Sequence, residues 1–291
     1  MKHFVKRGLS ILLVGILSVG LAACGGNGNG GGAAAATPTP TPQDTAPAER
    51  VIVYSQGAND YEVLIANSAA ASGPLAFVGL PFLGGMRAYL DMINAGGGID
   101  GRTIRLLHTD DEFDPVRGMA ALQGFVEDDR VFAIVGHMGT PVVAATLADL
   151  KEYGIPAVYF ATGIRDLYSA NATTNATGRN IFPVQPLFVT EGKILTAFAA
   201  GKFGATRIGI IYTNDDAGLD MYEGAREQIA LMPGVEYVSV MVAAGAPDVS
   251  AAVTTIRNAD VDFIIAASIQ VTLPTIINEL AAQGVNIPVI T

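Results

Sequence analysis

The chain has 291 residues, half of them apolar, with 17 Lys and Arg against 27 Asp and Glu and a formal net charge of −10 at pH 7. That length and apolar content supply one or two cores of ordinary size and exclude disorder of the whole. The acidic balance argues against nucleic acid and anionic lipid as partners, and a lone cysteine excludes an internal disulfide framework and a cysteine-based zinc site.

The chain opens "MKHFVKRG", with Lys2, Lys6 and Arg7, and an apolar run follows from Leu9 to Ala23. A charged start before an apolar run too short to span comfortably reads as an export signal over residues 1–23. The run ends Leu21-Ala22-Ala23-Cys24, which resembles a bacterial lipobox with Cys24 as the lipidated residue. The expected location is the outer side of the cytoplasmic membrane or the periplasm, with the membrane met through the lipid anchor only. Loss of residues 1–23 removes three basic side chains and no acidic one, so the 17 basic residues become 14 against 27 acidic ones, net −13. Residues 24–49 are Gly- and Ala-rich and then repeat Thr-Pro, the composition of a flexible tether.

From residue 50 the pattern alternates between strand and helix. "EVLIA" (62–66) predicts a strand, and residues 79–98 a helix with Met86, Tyr89, Leu90 and Ile93 at helical spacing before a glycine stop. "TIRLLHTDD" (103–111) predicts a strand. The helix over 114–129 has Asp114 as N-cap and Pro115 at its first position, with Met119, Leu122 and Val126 on one face. A buried strand over 131–136, a helix over 140–154 and a strand over 155–161 complete a first α/β lobe, residues 50–184. The second, residues 185–291, reads helix 188–203, strand 207–213, helix 218–231, strand 235–242, helix 248–259, strand 261–268, helix 272–283 and a last strand. Alternation with short turns predicts Rossmann-like lobes with parallel sheets. Because a doubly wound lobe continues with a helix, the second lobe is expected to be incomplete at its C-terminus.

Catalytic signals are weak. There is no G-x-S-x-G elbow and no H-E-x-x-H, and of the three histidines His3 falls in the signal, while His108 reads as structural. No catalytic residue, cofactor or bound metal is expected. "GGGIDG" (96–101) satisfies a dinucleotide fingerprint literally, but it ends a helix and feeds a strand, so its glycines read as a C-cap and tight turn. The acidic run 109–114 reads as capping, whereas 213–218 leaves cap and ligand contact open. "GHMGTP" (136–141) joins a buried strand to a helix with Thr140 placed to N-cap and Pro141 at the first helical position. Its free amides suit a carboxylate, and local sequence leaves ligand site and simple cap both open.

Together "SGPLAFVG", "MINAGGGIDGRTIRLLHTDDEFDP", "VFAIVGHMGT", "GIPAVYFATG" and "RIGIIYTNDDAG" resemble the branched-chain amino acid (Leu/Ile/Val-type) substrate-binding proteins of ABC importers, which are type I periplasmic binding proteins. The resemblance implies two lobes closing on a small-molecule ligand, an amino acid or similar carboxylate, delivered to an ABC permease without catalysis. An extracytoplasmic sensor of the same fold, or a binder of another carboxylate or amide, is the alternative. It implies that Gly139 and Thr140 hold the ligand carboxylate and that Ala161 and Thr162 contribute from the next turn. The family's aromatic positions fall on Val78, Ala217 and Ile269, and its acidic ammonium partner is expected beyond Thr291.

Overall fold

The computed structural model describes residues 55–169, 174–175, 178–269 and 271–291. The expected export signal, Cys24 and the expected tether lie outside the described residues. Strands β1 (Glu62–Ala69), β2 (Thr103–Asp110), β3 (Ala133–Val135) and β4 (Ala157–Val158) are followed by β5 (Thr174–Asn175), β6 (Gly178–Arg179) and β7 (Ile181–Phe182). Except for the antiparallel β5-β6 pair, they form one parallel sheet in the order β2-β1-β3-β4-β7. Helices α1 (Ala76–Ala95), α2 (Pro115–Gln123) and α3 (Thr140–Tyr153) make its crossovers.

The chain then runs through α4 (Phe188–Phe203), β8 (Arg207–Thr213), α5 (Asp216–Ile229), β9 (Glu236–Val242), α6 (Ser250–Arg257), β10 (Phe263–Ala267), α7 (Thr272–Ala282) and β11 (Val289–Ile290). These strands form a second parallel sheet, β11-β10-β8-β9. Strand order reverses between β1 and β3 in the first sheet and between β8 and β10 in the second. In open α/β sheets the crevice outside the carboxyl ends of the strands at such a switch point is where ligands bind.

Both faces of the central strands are covered, which requires apolar side chains in both directions. Ile134, Phe160, Leu167 and Ile181 of the first sheet region and Ile208, Ile210, Ala217 and Phe263 of the second belong to one continuous core. A second cluster, with Ile211, Val253, Ile256, Ile264 and Ile276 fully buried, lies on the other face of the β8-β10 pair. Each such Val, Leu, Ile or Phe side chain contributes about 1.5–3 kcal/mol through burial.

Several elements differ from the sequence expectation, for identifiable reasons. The strand expected over 131–136 is only Ala133–Val135: Gly136 takes φ 69° and ends the regular run, although its amide still donates to the Val158 carbonyl at 2.9 Å. The strand expected over 155–161 is only Ala157–Val158, since Tyr159 takes φ 60°. In α1 only Gly79 and Leu83 are buried, Tyr89 is 61% exposed, and Pro81 inside the helix removes one backbone donor. The end of the helix expected over 114–129 loosens into a π-type turn, Gly124–Asp128, and Met119 is exposed. Asp114 caps α2 as expected, accepting from the Arg117 amide at 2.9 Å with Pro115 next.

Candidate functional site

The four residues expected at the carboxylate site converge. β3 and β4 are neighbours, and their pairing continues past the strands through a Met138–Ala161 bridge. There the Ala161 amide donates to the His137 carbonyl at 2.9 Å and the Gly139 amide to the Ala161 carbonyl at 3.4 Å. The Met138 amide donates to the Ser68 carbonyl at 3.1 Å, which brings the end of β1 to the same place. Thr140 and Thr162, 22 residues apart, meet hydroxyl to hydroxyl at 2.9 Å.

The local geometry of Thr140 departs from the expected cap. Gly139, at φ 102° and ψ 122°, is the N-cap residue. Thr140 and Pro141 occupy the first two helical positions, and no side chain caps the helix. A positive φ at the entry frees the Thr140 hydroxyl from capping and turns it toward Thr162. The first-turn amide of Thr140 has no intrahelical acceptor, and it sits at the positive end of a 14-residue helix. Thr140 and Thr162 are 3% and 1% exposed, so the pair is enclosed instead of facing an open crevice, as the sequence suggested.

Polar groups beneath this turn are arranged in a chain. Asp111, fully buried, accepts from the Ser68 hydroxyl and from the Phe113 amide at 2.8 Å. Burial raises its pKa, against the lowering effect of the Ser68 hydrogen bond. Burial would also raise Asp110, but donation from the Ser72 hydroxyl and the amides of Ala71, Glu112 and Ser72 outweighs it and holds that carboxyl at about 2. These two carboxylates fix Glu112 and Phe113 at φ 51° and 67°, a left-handed pair that aims the Phe113 ring at Gly139. His137, 1% exposed, pairs through Nε2 with the Thr146 hydroxyl at 2.8 Å, and burial drives its pKa down to about 4. His108 bonds Asn67 through Nδ1 at 2.9 Å, in keeping with a structural role, although its Nε2 is unpaired.

The remaining candidates are placed differently. Val78, on the exposed first turn of α1, is 44% exposed and does not join the hydroxyl pair. Ala217 is fully buried in the first turn of α5, and Ile269 packs partly buried on the shared core just after β10. These two flank the switch point of the second sheet, as Thr140 and Val78 follow the two strands at the switch of the first. The 213–218 run resolves as a cap, with Asp215 accepting from the Gly218 amide at 2.9 Å and the Thr213 hydroxyl at 2.7 Å. An apolar groove of about 620 Å³ lined by Phe82, Met86, Tyr89, Leu90, Val135 and Tyr159 is separate from the hydroxyl pair. Among the described residues no cluster of three or more His, Cys, Asp or Glu side chains could hold a metal ion, and no helix is long and apolar enough to cross a membrane.

Three residues packed near these turns were not signalled by the sequence. Phe113 gives no signal, because a left-handed aromatic is not legible from residue type. Arg165 and Asp220, which pair across the molecule, lie 55 residues apart at no motif spacing.

Two parallel α/β sheets, each with its strand order reversing at a switch point, define a protein of the doubly wound α/β class. The chain belongs to the periplasmic binding protein family, which it matches over residues 62–291. An "amino acid binding protein" of Pseudomonas aeruginosa is 23% identical over 228 residues, 77% of this chain and 58% of that protein. The fatty acid ABC transporter substrate-binding protein from Thermomonospora curvata superposes with a TM-score of 0.70 at 17% identity, covering 82% of this chain and 59% of its own. The branched-chain amino acid transporter substrate-binding protein of Streptococcus pneumoniae, in complex with isoleucine, gives 0.68 at 24% identity, covering 78% and 63%. The fold is therefore that of the type I periplasmic binding proteins, and the chain spans about three fifths of the length of these relatives.

Proposed function

We propose that this chain is the capturing part of an extracytoplasmic solute-binding lipoprotein that takes up a small amino acid, branched-chain-like, or a similar carboxylate and delivers it to an ABC permease. In this reading residues 1–23 direct export, Cys24 carries the lipid, residues 24–49 form the tether, and 50–184 and 185–291 are the two lobes. The ligand carboxylate sits on the Thr140 amide and hydroxyl beside Gly139. Thr162 and Ala161 hold it from the next turn, and Val78, Ala217 and Ile269 border its side chain. Because Thr140 and Thr162 are enclosed, the ligand enters only when the lobes part, and closure buries it.

The observation that carries the reading is the 2.9 Å contact between the Thr140 and Thr162 hydroxyls at a helix N-terminus. Two hydroxyls that satisfy each other can exchange that bond for a carboxylate oxygen apiece, and an anion at the positive helix end gains from the dipole. Similarity to proteins described as binding isoleucine or serving fatty acid transport adds support, since both cargoes carry a carboxylate. Calorimetric titration with leucine, isoleucine, valine, polar and aromatic amino acids, and octanoate tests it. Binding of at least one member is expected, and heat from none of them rejects the reading.

A further inference from the structure

The turn that carries Thr162 is tied to the second sheet by one side chain. Asp220, on the buried side of α5, is 8% exposed in its side chain and has two donors, both from Arg165: the backbone amide at 2.9 Å and the guanidinium Nε. Arg165 lies three residues after Thr162, in a 3-10 turn (Arg165–Tyr168) whose Leu167 is fully buried. The same segment is pinned to the chain crossing between the sheets. The Phe188 amide donates to the Gly163 carbonyl at 2.8 Å, and the Tyr168 hydroxyl donates to the Gln185 carbonyl.

The electrostatic setting shows why this pair is more than a surface contact. Asp220, Asp166 and Asp215 lie near Asp216, whose pKa is raised by burial foremost and then by their charges. Arg165 is the cation that Asp220 contacts within this acidic group. A buried carboxylate holds its place only while its donors do, because losing one leaves a charge without solvent or partner. The pair therefore has one well-defined geometry, and it connects α5, which opens from the switch point of the second sheet, to a backbone stretch three residues from the Thr162 hydroxyl.

We propose that Asp220 is a positioning residue that acts through Arg165 to hold the Thr162 turn against α5, and so couples the spacing of the two sheets to the ligand contact at Thr140 and Thr162. The second half of this statement rests on the carboxylate reading above, whereas the first does not. A ligand that needs Thr162 in register with Thr140 binds only when the clasp is made, and parting the sheets draws on the same ion pair.

The test compares the full chain with Asp220→Asn by hydrogen exchange of the backbone, resolved by segment, and by titration with isoleucine as probe. Exchange of residues 158–168 and 216–222 is expected to rise about tenfold in the variant while α3 keeps its protection. Isoleucine affinity is expected to fall about tenfold. Unchanged protection of 158–168 overturns the clasp, whatever the probe does. If Asp220→Asn loosens the whole chain, Arg165→Gln decides instead: it keeps the backbone amide bond at a half-exposed position, and a local rise of several-fold is expected, with no rise overturning the proposal. If native protein fails to bind isoleucine, the ligand reading suffers, and the exchange comparison still decides the clasp.

Discussion

The Phe113 ring lies against the Cα of Gly139: a Cβ built on that glycine would come within 2.7 Å of the Phe113 Cε2 atom. Gly139 also holds φ 102°, a conformation that side chains resist, so two separate constraints demand glycine one residue before the hydroxyl pair. Gly139→Ala should cost about 2 kcal/mol or more, a fall of about 5 °C in melting temperature. Combining it with Phe113→Ala removes the collision but not the strained φ, so the double variant should lose less than the sum of the singles. Strict additivity in thermal denaturation would show that the ring does not press on this turn.

His137 gives a pH signature with a defined sign. Burial holds its pKa at about 4, against an ordinary value of 6.5. The unfolded chain binds a proton as pH falls below 6.5, while the folded chain does not until near 4. The stability that the neutral ring contributes is thus complete above 6.5 and lost progressively between 6.5 and 4, of order 3 kcal/mol in all. Asp111, whose pKa is raised, works in the opposite sense in the acid range. Melting temperature should therefore drop more steeply from pH 7 to 4.5 in the native chain than in His137→Gln. Parallel slopes would mean that the ring is not held neutral by burial.

Gly163 lies against the segment that leads from the first sheet into α4, its carbonyl accepting from the Phe188 amide at 2.8 Å. A Cβ there would lie 2.2 Å from the Pro186 carbonyl oxygen and 3.1 Å from the Phe188 amide. Both obstacles are backbone and cannot swing aside. Gly163→Ala should destabilise by about 2–3 kcal/mol, read from urea denaturation. A neutral outcome would place the crossing farther from this turn.

Helix caps offer a smaller and cleaner measurement. Asp114 and Asp215 each accept a first-turn amide, from Arg117 and Gly218 at 2.9 Å. Replacing either by Ala should cost about 1 kcal/mol. Asp215 also accepts from the Thr213 hydroxyl, so its loss should be the larger of the two, and thermal melts of the pair give the order directly.

Much of the architecture was legible in the sequence because it follows from local pattern. The strand 207–213 follows from its apolar run, and the helix 188–203 ends at Gly204, at φ 71°, a signal that lies in residue type alone. The Gly-rich stretch 96–101 likewise turns at Gly97, Gly98 and Gly101, all at positive φ. What escaped depends on tertiary context. A tyrosine at φ 60° ending β4 cannot be inferred from its type, and nothing local reveals that Thr140 forgoes its cap to meet a hydroxyl 22 residues away. For the site, the strand-end positions of Gly139, Thr140, Ala161 and Thr162 were legible, but their enclosure, the Phe113 buttress and the Asp220 clasp were not. Each of those arises from packing between segments far apart in sequence.

The central claim is that the Thr140 and Thr162 hydroxyls are the carboxylate contact, and one comparison tests it most directly. Isothermal titration of the native chain, Thr140→Ala and Thr162→Val with the best-binding carboxylate of the panel should show affinity falling about tenfold to a hundredfold in each variant. The methyl ester of that ligand should bind the native chain as weakly as the variants bind the acid. Undiminished affinity in both variants, at unchanged melting temperature, would contradict the claim.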